Sequence, residues 1–387
     1  MNRLNQVIFV ALLYCGLQGQ YGIAATAGGN PRLEPAKVIS FLPTGPGNPR
    51  NTEGSFVTLK DGRILFAYSK FTGGGDDNDS ATIAGRYSKD KGKTWSAEDT
   101  TLVEKEGEMN VMSVSLLRLK DGRIALFYVR KNSVSDCHPY IRYSSDEAKS
   151  WSEPIKCIRE DGYYVLNNDR VIQLRSGRLV LPMALHRAIN GKFGSKGVVM
   201  TYLSDDAGKT WRRSETTLQD NQPDRAGFQE PGVVELKDGR ILMFIRTTLG
   251  NQYFSYSQDG GNTWSEAHAS PLRSPLSPAS IKRIPSTGDL LAAWNDHSSV
   301  PAEFKATQES GGKRTPFTVA ISKDDGKTWI DARNLLDDPD GWYCYTAIHF
   351  VDNQVLLAFA SSGRGMPRLS KMDLARFPVR ALYQQLK

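Results

Sequence analysis

Residues 322–329 read SKDDGKTW, and the pattern Ser-x-Asp-x-Gly-x-Thr-Trp stands, with small departures, at four further places: SKDKGKTW at 88–95, SSDEAKSW at 144–151, SDDAGKTW at 204–211 and SQDGGNTW at 257–264. Their aspartates, Asp90, Asp146, Asp206, Asp259 and Asp324, recur at intervals of 53 to 65 residues, long enough for one four-stranded unit each. An aspartate beside a tryptophan and hydroxyls invites a catalytic reading, but repetition argues for architecture, because an active site needs a constellation that occurs once. A short acidic side chain followed by glycine bonds to the N–H groups of its own turn, while the threonine and tryptophan close that turn against the strands.

Between the boxes runs a second repeat of apolar strand, polar turn and apolar strand: FVTLKDGRILFAY (56–68), SLLRLKDGRIALFYV (115–129), VIQLRSGRLVLPM (171–183), VVELKDGRILMFI (233–245), IKRIPSTGDLLAAW (281–294) and IHFVDNQVLLAFA (348–360). Asp-Gly and Ser-Gly between apolar runs are hairpin signals, since glycine tolerates the positive φ of a tight turn. Six hairpins and five boxes predict an all-β chain folded as a six-bladed β-propeller with Asp-box turns. Each blade takes two inner strands from a hairpin and two outer strands joined by a box, and the last blade has lost its box.

The chain has 387 residues, 39% hydrophobic and 24% charged, the proportions of a protein that buries a large core. Its formal net charge of +7 suits an acidic ligand, while the lysines and arginines form no block of the kind that grips nucleic acid. Arg3, the apolar run from Val7 to Leu17 and Ala25-Thr26-Ala27 have the form of a signal peptide over residues 1–27, so the propeller is expected over 28–387, in a secreted, periplasmic or cell-surface protein. No segment is long enough for a permanent membrane span. Cys137, Cys157 and Cys344 then remain, and no metal-site spacing accompanies them. Cys137 and Cys157 are nearly equidistant from the turn at Glu147-Ala148, so in a hairpin they face each other as a disulfide or as two buried thiols. No metal or cofactor is expected, and the chain is expected to act as a monomer.

In a propeller the innermost strands begin at the mouth of a central channel, where residues from several blades converge. Nine residues before the turn glycines Gly62, Gly122, Gly177 and Gly239 stand Glu53, Ser113, Asn168 and Glu230, all polar. Asn110, His138, Asp169, Arg170 and His186 occupy further candidate channel positions, each with a structural hydrogen bond as its alternative.

Boxes, hairpins and flanking residues together resemble the Asp-box (BNR-repeat) sialidase superfamily over nearly the whole mature chain. That resemblance implies three arginines gripping a substrate carboxylate, an aspartate acid/base, and a tyrosine nucleophile paired with a glutamate. The chemistry is coherent: a carboxylate on the anomeric carbon repels an anionic nucleophile but not a neutral phenol, and guanidinium groups hold a carboxylate directionally. In FQEPGVVELKDGRILMFIRT (228–247), Glu230 and Arg246 match the family's glutamate and second arginine. KRTPFTVAISKDDGKTW (313–329) points to Arg314 as the third. WYCYTAIHFVDNQVLLAF (342–359) resembles the tyrosine strand, with Tyr345 as nucleophile and Tyr343 as the alternative. Counting eleven residues back from Ser88 gives Asp77 as acid/base within GGGDDNDSA (73–81), with Asp76 and Asp79 able to substitute. Arg50 in NPRNTEGSF (48–56) is the first arginine. Here the chain departs from the family, which often reads Arg-Ile-Pro and braces this arginine with a glutamate after the tyrosine hairpin; Glu53 is the candidate brace.

The resemblance thus implies a retaining exo-α-sialidase acting on sialylated or other acidic glycans, with catalytic Asp77, Glu230 and Tyr345 and with Arg50, Arg246 and Arg314 binding substrate; Glu53, Asn168 and Asp169 join them as substrate-binding candidates from their channel positions. The alternatives are a hydrolase or lyase of another uronic or ulosonic sugar, and a non-catalytic glycan-binding propeller.

Overall fold

A computed structural model describes residues 29–34, 36–220, 227–307 and 311–384. The expected signal peptide lies outside the described residues. Among the described residues the fold is all β, interrupted only by short 3-10 turns at Ala302–Phe304 and Val379–Tyr383, and no helix is long and apolar enough to cross a membrane.

Strands follow the repeats in antiparallel groups of four. The first group is Arg50–Thr58, Ile64–Phe71, Ala81–Ser88 and Thr100–Val103. The second is Asn110–Arg118, Ile124–Lys131, Cys137–Ser144 and Ile155–Lys156; the third is Ile172–Gln173, Leu179–Ile189, Lys192–Ser204 and Arg212–Arg213. These two are joined into one nine-stranded sheet by Tyr163–Val165, which pairs parallel to Cys137 and antiparallel to Leu179–Ile189. Gln229–Glu235, Ile241–Arg246, Asn251–Ser257 and His268–Arg273 form the fourth group, and Ser280–Arg283, Leu290–Trp294, Phe317–Ser322 and Ile330–Leu336 the fifth. The sixth takes Trp342–Val351, Gln354–Ser362 and Lys371–Pro378, and its outermost strand is Lys37–Leu42 from the other end of the chain. That contribution was not read from the repeats, because Lys37–Leu42 stands outside every box and hairpin.

First strands of adjoining groups lie side by side. Arg50–Thr58 neighbours both Asn110–Arg118 and Trp342–Val351, and Ser280–Arg283 neighbours both Gln229–Glu235 and Trp342–Val351. Core therefore forms between groups, which is why the hairpin strands are apolar on both faces. Phe56, Phe66 and Tyr68 of the first group pack with Leu356, Ala358 and Met372 of the sixth, and Trp95 of the first Asp box wedges against them. Trp294 and fully buried Trp329 fill the equivalent space between the fourth and fifth groups.

Each Asp box is closed as its spacing predicts. In the first, Asp90 Oδ1 accepts from Ser88 Oγ at 3.0 Å and Thr94 N at 2.8 Å, while Oδ2 accepts from Thr94 Oγ1 at 2.6 Å. The same bonds recur at Asp146, Asp206, Asp259 and Asp324. Carboxylates with both oxygens engaged by their own turns are structural.

The cysteine expectation needs correction. Pairing of Tyr140 with Lys156 sets Cys157 opposite Pro139, two residues from Cys137, so the two thiols do not meet across the strands. All three described cysteines are free and buried.

Candidate functional site

Pairing with the second strand of the hairpin breaks at the same place in four first strands, between Thr52 and Ser55, Met112 and Ser115, Gln229 and Gly232, and Cys344 and Ala347. At each break one residue other than glycine adopts the left-handed region: Glu53 at φ 53°, Ser113 at 62°, Glu230 at 41° and Tyr345 at 54°. A bulge of this kind interrupts strict side-chain alternation and re-aims one side chain, at a cost of about 1–2 kcal/mol per left-handed residue. All four residues line one cavity of about 480 Å³. A wider recess of about 720 Å³ lies among the hairpin turns and Asp boxes of the second to fourth groups, near Lys120, Arg178, Asp206 and Asp259, but its walls are turn residues and it contains no nucleophile and base in contact. The smaller cavity is the chemical one.

On one side of it Tyr345 Oη donates to Glu230 Oε1 at 3.2 Å, and the other oxygen of Glu230 pairs with Arg246 Nη1 at 2.7 Å. Burial, then the charge of Glu230, push the Tyr345 phenol well above its ordinary range, so it is neutral. Arg314 completes this side, its guanidinium carbon 5.5 Å from the Tyr345 ring centre and 5.1 Å from that of Trp342, with Nη1 donating to Cys344 Sγ at 2.9 Å. Tyr343 is outside the site: strict alternation would set it on the face of Tyr345, but the bulge re-aims Tyr345 alone and Tyr343 points into the core beside Phe317 and Phe359.

On the other side lies Arg50, only 3% exposed, its guanidinium over the Phe71 ring. Arg50 Nη1 pairs with Asp77 Oδ1 at 2.6 Å, and Nη2 stands 3.5 Å from Glu53 Oε1. Asp77 projects from the glycine-rich loop with its side chain 65% exposed. Desolvation acts to raise its carboxyl, but Arg50 and Lys131 outweigh it and hold Asp77 below the usual carboxylate range. The loop is anchored by its backbone: Asn110 Nδ2 donates to the carbonyls of Asp77 and Asp79 at 2.8 Å each, and Lys131 Nζ donates to that of Asp77 at 2.6 Å. Asp79 is spent within the loop, accepting from Asp76 N at 2.8 Å.

Asn168 and Asp169 do not line this cavity. Asn168 donates to the carbonyls of Gly54 and Tyr345, and Asp169 binds Ser55 Oγ at 2.9 Å, Ile348 N at 3.0 Å and Lys282 Nζ at 2.9 Å, so the pair ties three groups together away from the cavity wall. In the third group Asp169, and not Asn168, takes the positive φ, 56°, which is why counting from the turn misplaced it. Arg170 is structural too, donating to Ala279 O at 2.6 Å. His186 lines the cavity but is bound to Gly194 O, and His138 pairs with Asp136 at 3.3 Å. Among the described residues no group of three or more His, Cys, Asp or Glu is placed to hold a metal ion.

Lys131, Tyr163, Asn167, Phe193 and Gln229 also line the cavity and were not anticipated. Lys131 had a faint signal, a lysine ending an apolar strand; Tyr163 enters only through the joining strand, which no repeat marks.

A family model described as a BNR repeat-like domain matches residues 62–356. A sialidase of Bacteroides fragilis is 25% identical over 55% of this chain and 37% of its own length, and an anhydrosialidase of Macrobdella decora is 26% identical over 67% of this chain and 35% of its own. The match thus spans little more than a third of these relatives. A solved mutant of Trypanosoma rangeli sialidase displaying trans-sialidase activity superposes with a TM-score of 0.68 at 14% identity, over 91% of this chain and 60% of that one, a likeness of fold.

Proposed function

The chain belongs to the BNR repeat-like family, within the Asp-box sialidase superfamily, and from that premise we propose that it is a retaining exo-α-sialidase releasing terminal sialic acid from glycans. The observation that carries this reading is the contact of Tyr345 with Glu230 inside a cavity lined by Arg246 and Arg314, with Arg50 behind the lining residue Asp77. We read the six strand groups as blades of one closed propeller, and the chain as an exported monomer.

Arg50, Arg246 and Arg314 receive the sugar carboxylate. Asp77 now occupies Arg50 as a carboxylate ligand would, so substrate displaces it. Released from the guanidinium, Asp77 loses an attraction that lowers its pKa, which suits a general acid. Tyr345 attacks the anomeric carbon while Glu230 Oε1 takes its proton; Arg246, paired with the other oxygen, holds Glu230 in place. Asp77 protonates the leaving oxygen, then withdraws a proton from water to release the sugar with retained configuration.

A hydrolase or lyase of another uronic or ulosonic sugar would use the same arginines, and a panel of acidic glycosides separates these readings. A purely binding role is disfavoured by the Tyr345–Glu230 contact of 3.2 Å, since a lectin needs no nucleophile and base in register. Incubation with a fluorogenic α-sialoside tests the proposal: the native protein is expected to release sialic acid and Tyr345→Phe to release almost none. No release by either sinks the assignment.

A further inference from the structure

Glu53 is unexplained by this mechanism. The residue is 4% exposed, in a left-handed bulge conformation, and it forms part of the cavity wall beside Arg50 and Ser113. Ser113 Oγ donates to its Oε2, while Oε1 faces Arg50 Nη2 at 3.5 Å, beyond hydrogen-bonding distance. A carboxylate that braced an arginine would make short paired contacts with it. Arg50 instead gives its short contact to Asp77.

The charges around Glu53 are unequal. Arg50 faces it from its own strand, Asp77 from the glycine-rich loop and Glu230 from the fourth group, with the neutral phenols of Tyr345 and Tyr163 nearby. A ligand carboxylate arriving at Arg50 would add another negative charge beside it. Burial pushes the Glu53 carboxyl up to about 7, Arg50 opposing and Asp77 assisting.

We propose that Glu53 receives the acidic sugar as a neutral carboxylic acid, donating its Oε1 proton to a ligand oxygen held at Arg50, so that binding takes up one proton from solvent. This rests on the cavity being an acidic-sugar site. It makes Glu53 a binding residue whose protonated form discriminates for an anion, where an ionised brace would repel one.

The probe is the unsaturated glycal of N-acetylneuraminic acid, which binds without being hydrolysed, titrated calorimetrically in two buffers of different ionisation enthalpy. Between about pH 7 and 8.5 burial holds the His186 imidazole neutral and the two phenols are held high, while any proton that Asp77 gains when the ligand displaces it from Arg50 is common to the native protein and Glu53→Gln, so the difference between the two reads Glu53. The native protein is expected to take up close to one proton per ligand more than Glu53→Gln at about pH 8, and its Kd to rise roughly tenfold more steeply per pH unit above the Glu53 pKa. Glu53→Gln keeps a donor at that place and is expected to bind without that proton and with a correspondingly flatter pH profile. Glycal binding by the native protein without proton uptake overturns the inference and leaves the sialidase reading standing, and needs no variant. Equal uptake by native protein and Glu53→Gln also overturns it. Failure of the native protein to bind the glycal at any pH removes the acidic-sugar reading itself, and this inference with it.

Discussion

Glu230 divides its two oxygens between Tyr345 and Arg246, and neither contact can be kept by a neutral amide in the same sense. Glu230→Gln is therefore expected to lower kcat by about 10²–10⁴, the range of a lost general base, with a folded protein by circular dichroism. Tyr343→Phe, altering a core side chain, is expected to leave kcat within about twofold. Asp77→Asn should cost far more with a natural glycan than with a phenolic fluorogenic sialoside, because a phenolate leaves without protonation; equal losses on both would contradict the acid role. Glu230 was legible as a lining residue because it stands at a fixed count from its turn glycine, whereas Asp77 and Tyr345 were singled out only through the resemblance to the sialidase superfamily. Asn168 was misplaced because the third group puts its left-handed residue one position later, and Asp169, which takes that conformation, is turned to Ser55, Lys282 and Ile348 N and not to the cavity, contacts with other groups that a local pattern does not encode.

The Asp box is an element in which backbone conformation dominates. Each box holds two successive left-handed residues, as at Lys91-Gly92, and the second box places Ala148 where others have glycine, at φ 63°. A Cβ at Gly92 would lie 2.7 Å from Leu356 Cδ1, so Gly92→Ala meets both a backbone and a packing cost and is expected to destabilise by about 1–3 kcal/mol in urea unfolding. Trp329→Ala, which empties a fully buried site between groups, is expected to cost about 3–5 kcal/mol. Box and hairpin are short-range devices, and so they could be read residue by residue. The register that separates Cys157 from Cys137 depends on how asymmetrically the box turn closes, and the joining strand at Tyr163–Val165 depends on two neighbouring groups. Neither leaves a local mark.

For the whole molecule, acid stability follows from the boxes. The carboxyls of Asp90, Asp146 and Asp206 are held at about 2 by hydrogen bonds from their own turns, against an unfolded value of 3.8. Folded values below unfolded ones mean that this stabilisation is complete above about pH 4 and is lost as pH falls toward 2, so Tm should drop through that window. Glu53 acts oppositely: raised in the fold, it makes the unfolded chain the weaker proton binder, and its contribution to stability declines as pH rises from about 4.5 through 7. The chain ends matter as well, since Lys37–Leu42 covers the edge strand Lys371–Pro378 and buries Phe41 and Leu42.

The account turns on Tyr345 as the atom that meets the anomeric carbon. A sialosyl fluoride bearing a second fluorine on the adjacent carbon forms a long-lived glycosyl-enzyme, because the retained fluorine destabilises the oxocarbenium-like transition state of its hydrolysis, and peptide mapping by mass spectrometry locates it. The account predicts one label per chain, on Tyr345, absent from Tyr345→Phe and slowed in Glu230→Gln. Rapid turnover of sialosides by a native protein whose label falls on another residue would contradict it.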